Sequence, residues 1–482
     1  MVKRVSLMAM EEPLQTIRQQ LQEHGQDHLL SFWSELSQTQ QARLLKQIAG
    51  LNLSRVDQWV AQYVRHKEPA VVPRDFAPAG YYPCQPEGRS YKQKYKQAIE
   101  LGEDLIASGK VAAFVVAGGQ GTRLGFDGPK GNFPATPVTR KTLFQVFAET
   151  IAAASRKYSR AIPWYIMTSP LNRIQTIQTF EDRGYFGLDR DQVFIFEQGT
   201  LPNFDLDGRI LMADRDLIAC SPDGHGGSLR ALYDSGAVAD MRSRGVELAS
   251  YWQVDNPLVN LFDPLFVGLH VMDQSDMSSK ALKKVGPLEK LGNFCLVGDQ
   301  VTVIEYSDLP NDLAQKRRPD GALVFELGSI GIHVISRSFV ERLSANGFAL
   351  PLHKATKKIP HIDQTGRRVE PKAPNGVKLE SFVFDALPLA SHAMILETIR
   401  SEEFGPIKNA TGVDSAESSR ELMIERAARW LESAGVSIPR TPQGKADLVI
   451  EIAPSFALTR EELATKLHQI PEIRAKDQVY LA

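Results

Sequence analysis

The stretch Val111 to Lys130, VAAFVVAGGQGTRLGFDGPK, constrains this chain more tightly than any other. Val111 to Val116 is a short apolar run rich in branched and aromatic residues, which predicts a strand buried on both faces. It breaks at Gly118, Gly119 and Gly121 and is followed by Arg123, Gly125 and Lys130. Glycine allows a sharp turn and lets backbone approach a ligand closely. Successive backbone N–H groups can form a concavity that holds an anion. A strand, a glycine loop and two cations are the equipment a nucleoside triphosphate needs. Two commoner phosphate loops do not fit. In a dinucleotide loop, G-x-G-x-x-G, Gly119 and Gly121 match but the third place is Leu124, and the glycine comes one residue late. In a Walker loop the lysine follows a glycine and precedes Ser or Thr, whereas Lys130 lies between Pro129 and Gly131. An ordinary βα turn with a glycine cap is the plainer alternative, but such a turn does not require three glycines, an Arg and a Lys together.

The rest of the chain supports an α/β reading. Strand-like runs at 111–116, 163–168, 193–196, 248–254 and 330–335 alternate with helical stretches such as 141–157 and 227–244. This alternation predicts a doubly wound, mainly parallel sheet, with ligands bound outside the carboxyl ends of its strands. Residues 1 to about 75 read as helical. Leu29, Phe32, Trp33 and Leu36 are spaced as one face of a helix, and Ser37 with Gln40 forms a capping box for the next. Pro69 to Pro86 reads as an extended linker. The final residues read as a small α+β region, with a helix over ESSRELMIERAARWLESAG, a strand in ADLVIEIAPSFAL and a helix start at Thr459–Glu462. The expected division is a helical region and linker over 1–90, a catalytic domain over 91–404, and a small C-terminal domain over 405–482.

A formal net charge of −1 argues against a general attraction to nucleic acid or to an anionic membrane. The local basic clusters Lys316 to Arg318 and Lys354 to Lys358 read mainly as solvated faces. Cys84, Cys220 and Cys295 are too scattered for a metal site or a disulfide framework. Their scarcity, and an N-terminus without the apolar core of a signal peptide, lead us to expect a cytoplasmic protein. No run has the ~18 apolar residues of a membrane span. No sequence feature sets an oligomeric state.

The spacing G-G-x-G-T-R-L-G-x-x-x-x-K resembles the nucleotide loop of the sugar-nucleotide pyrophosphorylases. The wider wording resembles the eukaryotic-type UDP-N-acetylglucosamine pyrophosphorylases within the larger UDP-glucose pyrophosphorylase group. It includes PKGNF, TRKTLFQ, FEQGTLP, PDGHGGSLRAL, YWQVDNPLV, IEYSDL, PNGVKLESFVFD and PIKNA, and covers most of the chain. The resemblance implies a glycosyltransferase-A-like nucleotidyltransferase fold and the reaction of UTP with a sugar 1-phosphate to give a UDP-sugar and diphosphate. The nucleophile of that reaction is already ionised, so catalysis should rest on positioning and charge neutralisation.

By resemblance, Arg123 and Lys130 are catalytic contacts to the triphosphate; a surface salt bridge remains the alternative for Arg123. Val116, Ala117, Gly118, Gly119 and Gly224 would supply backbone around the base, ribose and phosphates. Gln198 would read uracil, since an amide offers a donor beside an acceptor. Asp255, in VDN, looks like the aspartate that holds Mg²⁺ (or Mn²⁺), a hard cation bound through one or two carboxylates plus phosphate oxygens. Lys378 and Lys408 would contact phosphate, with a solvated surface lysine as the alternative for each. Glu305, Tyr306, His225, Phe382 and Phe384 would line the sugar side. Phe382 and Phe384, with alternate spacing, would share one face of a strand, so core packing is an alternative for at least one of them. Two positions depart from the N-acetylglucosamine pattern. His225 stands where those enzymes have Asn, and Ile332, before His333, replaces a second Asn. Both lie near the sugar in the family, so glucose or galactose 1-phosphate remains an alternative acceptor. A nucleotide-sugar binding protein without turnover would be expected to lack Lys130 or Asp255, and both are present. A dinucleotide oxidoreductase would need a ribose-binding acid about 20 residues beyond the loop, where Thr139-Arg140-Lys141-Thr142 lies instead.

Overall fold

A computed structural model describes residues 14–65, 75–345, 347–348 and 350–482. The readings for the N-terminal residues 1–13 and for the 66–74 part of the linker lie outside the described residues. The chain forms two compact units. One takes in the described residues of Met1–Val71 with Gly199–Gly227 and Leu350–Phe382; the other comprises Val72–Gln198, Ser228–Ala349 and Val383–Ala482. This partition follows contacts and so differs from the three consecutive regions expected from composition.

The larger unit is built on a ten-stranded sheet. Its strands are β1 (Ala77–Pro78), β2 (Val111–Val116), β3 (Trp164–Thr168), β4 (Val193–Glu197), β5 (Leu248–Gln253), β6 (Met277–Lys283), β7 (Asn293–Val297), β8 (Gln300–Ile304), β9 (Leu327–Ser336) and β10 (Ala393–Glu397). Strands β5, β2, β3 and β4 form a parallel block, and β6 runs parallel to β10. The long strand β9 joins the two sets by antiparallel pairing to β5 and β6. All five residues Val111 to Val115 are buried, as expected for a strand covered on both faces. From β2 the chain winds outward through β3 to β4, then returns to the other side of β2 as β5. The strand order therefore reverses between β2 and β5, and a doubly wound sheet opens a ligand crevice at the carboxyl ends there.

Helices cover this sheet because their apolar residues fall on one side. Leu143–Lys157 starts at Thr142, whose side chain accepts from Gln145 N, and buries Phe144, Phe147 and Ile151. Phe144 meets Phe180 edge-on at 5.2 Å. Helices Arg89–Ala107 and Pro264–Met272 cross so closely that a Cβ on Gly102 would lie 1.9 Å from Pro264 O, and one on Gly268 1.7 Å from Ala98 O. Only glycine fits at that crossing. The helical stretch 227–244 is broken in two by Gly236, at φ +84°. At the C-terminal end, helix Ala416–Ser433 packs with the parallel pair Val449–Ile452 and Gln478–Leu481. Thr459 caps a further short helix by accepting from Glu462 N.

In the smaller unit, Leu44, Ile48 and Val56 from the helices Gln38–Ala49 and Leu53–Trp59 form a core with Phe204, Ile210, Val377 and Leu379. The Ser37–Gln40 capping box is present. The helix expected over Leu29 to Leu36 is instead two short turns, Asp27–Leu30 and Trp33–Glu35. The reason lies in tertiary hydrogen bonds. Gln26 Nε2 donates to Gly208 O at 3.0 Å, Ile210 N donates to Gln26 Oε1 at 2.9 Å, and His28 Nε2 lies 2.7 Å from Ile210 O. These fix the segment to a later loop in a conformation a continuous helix would not allow. A three-stranded antiparallel sheet, in the order His353–Lys357, Gly376–Glu380, Phe204–Asp205, completes the unit.

Among the described residues no helix is long and apolar enough to cross a membrane. The three cysteines are unpaired.

Candidate active site

The glycine loop leaves the carboxyl end of β2, where the strand order reverses. Ala117 N donates to Met167 O at 2.8 Å and Val254 N to Val116 O at 3.1 Å, so both neighbouring strands hold its start. Beyond Gly119 the chain folds back on itself. Gly121 N donates to Gly128 O at 3.0 Å and Lys130 N to Gly119 O at 3.1 Å. Among the described residues, the N–H groups of Gly118, Gly119 and Gln120 donate to no protein acceptor. The carbonyls of the same stretch are engaged. Asn172 Nδ2 reaches Ala117 O at 2.8 Å and Gly119 O at 3.2 Å, and Ser169 Oγ reaches Gly118 O at 2.8 Å. A loop with its carbonyls tied and its amides free is suited to an anion.

The return of the loop brings Lys130 to Asp255, which follows β5. Lys130 Nζ lies 3.1 Å from Asp255 Oδ2, and both residues are 8% exposed. Burial alone would push the Asp255 carboxyl up, but the charges of Lys130 and Lys408 outweigh it and hold the carboxyl below the usual carboxylate range. Asp255 is therefore an ionised carboxylate at neutral pH. Its backbone carbonyl accepts from Ile407 N at 2.8 Å, which places the residue before Lys408 against it. Arg123 sits on the outer turn Thr122–Leu124, exposed, with no ion-pair partner among the described residues. Gln198 is buried just past β4, and its N–H donates to Thr168 O at 2.9 Å. A Cβ on Gly118 would lie 2.7 Å from Gln198 Oε1, so glycine is what lets this amide lie against the loop.

Glu305 and Tyr306 occupy the turn after β8. The Glu305 carbonyl accepts from Asp308 N and Leu309 N, both at 3.0 Å, and Tyr306 is 47% exposed. Phe384 is buried in the turn Val383–Leu389. Ile332 lies buried in the apolar core with Ile330 and Val334, beside His333, whose Nδ1 is 2.9 Å from Ser279 Oγ.

The smaller unit carries the remaining expected residues. Gly224 has φ +87°, and a Cβ there would lie 2.3 Å from Ser381 O. Ser381 donates through N and Oγ to Asp223 O, at 2.8 and 3.0 Å, and Gly226 N donates to Ser381 O at 2.9 Å. These bonds draw the chain away from strand Gly376–Glu380 before Phe382. Phe382 and Phe384 thus do not share a strand face, contrary to the expectation from their spacing. Phe382 instead stacks on His225, with centroids 5.2 Å apart, and on His353, at 4.3 Å. Lys378 is half-buried on strand Gly376–Glu380.

Sequence reasoning missed Ser169 and Asn172, which tie down the loop carbonyls. Their signal was the Ser-Pro-Leu-Asn turn directly after β3. It also missed Lys280 and Glu403, a buried pair 123 residues apart in sequence, for which no local signal exists. A cavity of about 1120 Å³ in the larger unit is lined by Lys141, Lys157, Lys280, Glu403 and Arg426, but by neither Lys130 nor Asp255. The cations and amides at the strand ends, not the size of that cavity, define the candidate site.

A doubly wound sheet carrying free loop amides, a buried Lys–Asp pair and a buried amide at its switch point defines a nucleotidyltransferase. Residues 85–482 match the family model described as UTP–glucose-1-phosphate uridylyltransferase, and the chain belongs to that family. It is 36% identical over 495 residues to human UDP-N-acetylhexosamine pyrophosphorylase-like protein 1, covering 96% of this chain and 97% of that one. It is 34% identical over 463 residues to the UDP-N-acetylglucosamine pyrophosphorylase of Saccharomyces cerevisiae, covering 92% and 95% respectively. Among solved structures it is similar to the uridine diphosphate N-acetylglucosamine pyrophosphorylase of Trypanosoma brucei, with a TM-score of 0.81 at 26% identity over 96% of this chain and 97% of that chain.

Proposed function

We propose that this chain transfers a uridylyl group from UTP to a sugar 1-phosphate, with N-acetylglucosamine 1-phosphate as the favoured acceptor, releasing diphosphate. The observation that carries this reading is the ionised Asp255 held against Lys130 beneath a loop whose Gly118, Gly119 and Gln120 amides are free. Family membership and the names of its relatives support the same chemistry.

A sugar-phosphate oxygen attacks the α-phosphorus, the bond to the bridging oxygen of the leaving diphosphate breaks, and that oxygen takes the electron pair. No proton need move, so no general base is required. The loop amides and Lys130 neutralise charge on the phosphates, with Arg123 reaching from the outer turn. Lys408 receives the sugar phosphate, and Lys378 is the second phosphate contact that the family resemblance implies. The Gln198 amide pairs with uracil, with Val116 and Ala117 beside it and Gly224 contributing backbone to the nucleoside. Glu305, Tyr306, His225, Phe382 and Phe384 meet the sugar.

The donor set fits Mg²⁺ or Mn²⁺. Asp255 is an ionised hard-oxygen ligand, and Mg²⁺ sites commonly use one or two carboxylates with substrate phosphates supplying the rest. Among the described residues no cluster of three or more metal-binding side chains exists, so the remaining ligands would come from substrate and water. When bound, such an ion neutralises phosphate charge and polarises the α-phosphate. Unpaired cysteines fit a cytoplasmic site of action.

His225, which stands where the N-acetylglucosamine pattern has Asn, favours a second reading, in which glucose or galactose 1-phosphate is the better acceptor. One changed buried polar contact shifts discrimination by about 1–3 kcal/mol. The test is diphosphate release from UTP and Mg²⁺ with the 1-phosphates of N-acetylglucosamine, N-acetylgalactosamine, glucose and galactose. Release confined to the N-acetylated sugars supports the first reading. Preference for glucose or galactose supports the second, and no release with any sugar overturns both.

A further inference from the structure

Behind Asp255 lies a buried charge cluster that the reaction does not use directly. Lys280, 1% exposed on β6, directs its ammonium to three oxygens: Asp263 Oδ2, Glu403 Oε1 and Glu403 Oε2, each at 2.7 Å. These three bonds saturate its donors. The Glu403 carboxylate also accepts from Asn260 N at 3.1 Å and from Thr398 Oγ1. Asp263 caps the helix Pro264–Met272, so the lysine is anchored to a fixed helix end.

The cluster connects to the site through Asn256, the residue after Asp255. Asn256 Nδ2 donates to Glu403 O at 2.7 Å, and its Oδ1 accepts from Gly405 N at 3.1 Å. Ser419 Oγ holds Gly405 O at 2.7 Å. Ile407 N then donates to Asp255 O at 2.8 Å, and Lys408 follows directly. The segment from Glu403 to Ile407 is thus clamped at both ends to the loop that carries Asp255. A buried ion pair is seldom the most stabilising filling for its space; apolar residues of similar volume commonly do as well or better. What this one provides is a fixed geometry.

We propose that Glu403, clamped by Lys280 and joined to Asn256, is a positioning residue that sets the separation of Lys408 from Asp255. The proposal rests on the reading of Lys408 as the sugar-phosphate contact. It places the accuracy of the acceptor site under the control of residues that touch neither substrate.

The test is a double-mutant cycle. Lys280→Met with Glu403→Gln removes one charge of each sign and leaves Asp263 as a helix cap. In the full-length enzyme this pair is expected to lower kcat/KM for the sugar 1-phosphate about 10- to 100-fold, the cost of a slightly misplaced reacting group, with KM for UTP little changed. In a Lys408→Ala background the same pair should cost less than about twofold, since sites acting through one another are non-additive. Equal losses in both backgrounds, no loss at all, or a loss confined to UTP binding would overturn the proposal. If the paired variant does not fold by circular dichroism, Asn256→Ala cuts the same link without unpairing a charge, and the same readouts apply. Should Lys408→Ala alone leave the acceptor kinetics intact, the assignment of Lys408 fails and the proposal with it. Failure of the clamp alone appears as a damaging Lys408→Ala with additive effects.

Discussion

Lys130→Met keeps the length and most of the volume of the side chain and deletes its charge. In the parent, Nζ lies 3.1 Å from Asp255 Oδ2, with the two side chains 10% and 12% exposed. The variant leaves a buried carboxylate with Lys408 as its remaining cation. Removing one partner of a buried pair costs about 3–5 kcal/mol, and the residual exposure here points to the lower end, about 3 kcal/mol. The kinetic cost is separate. Loss of one preorganised charge contact to the reacting phosphates lowers kcat by about 10²–10³. The free amides of the glycine loop remain, so UTP affinity should fall much less than kcat.

The assay is diphosphate release at saturating substrates, with UTP binding by calorimetry and thermal unfolding across pH. In the parent the folded pKa of Asp255 is held below its unfolded value. Its ionised form therefore contributes stability above the unfolded pKa of about 3.9, and that contribution is lost as pH falls through the folded pKa. In the variant burial meets less opposition and the folded pKa rises. The stability gap between variant and parent is then widest at neutral pH and narrows as the pH falls through that raised value toward the parent's lower one. A kcat within about threefold of the parent, a difference of only ~0.7 kcal/mol in the barrier, would refute the catalytic role. A stability gap that does not vary with pH would refute the electrostatic one.

Asp255→Asn preserves shape and removes the anionic ligand; the Mg²⁺ concentration for half-maximal rate should rise and the maximal rate fall, and full activity at low Mg²⁺ would contradict the ligand role. Asn172→Ala should free the carbonyl of Ala117 and leave that of Gly119 to Lys130 N alone, and raise KM for UTP more than KM for the sugar 1-phosphate, as read from initial rates with each substrate varied. Gly268→Ala drives a methyl into the backbone of Ala98, and overpacking of this kind costs about 1–3 kcal/mol or more, visible as a lowered thermal midpoint. Gln198→Ala should erode the preference for UTP over CTP, measured as a ratio of kcat/KM values.

Local chemistry made the strands, the caps and the loop legible in the sequence. Val111 to Val115 read as a buried strand, and Ser37 and Thr459 as helix caps, because a side-chain oxygen meets a backbone N–H three residues on. Lys130 and Asp255 were singled out by the resemblance of the segments that carry them, the glycine loop and YWQVDNPLV, to the family's wording. Where several weak signals compete, local reading fails. The periodicity of Leu29 to Leu36 suits a helix, yet Gln26 and His28 bond to a loop some 182 residues away and the helix does not form. Phe382 and Phe384 have strand spacing, yet Ser381 bonds to Asp223 and turns the chain first.

The sequence by itself therefore determined the strands β2, β3, β4, β5 and β9, the place of the glycine turn and the residue types that carry charge beside it, because these depend on neighbours within a few residues. Only the tertiary structure decided that Lys130 and Asp255, 125 residues apart, form one buried pair. It also decided that Gln198 fits against Gly118, and that Lys280 and Glu403 stand behind the site. Pairings of that kind are set by strand order and by the dielectric of a closed core, which no spacing along the chain encodes.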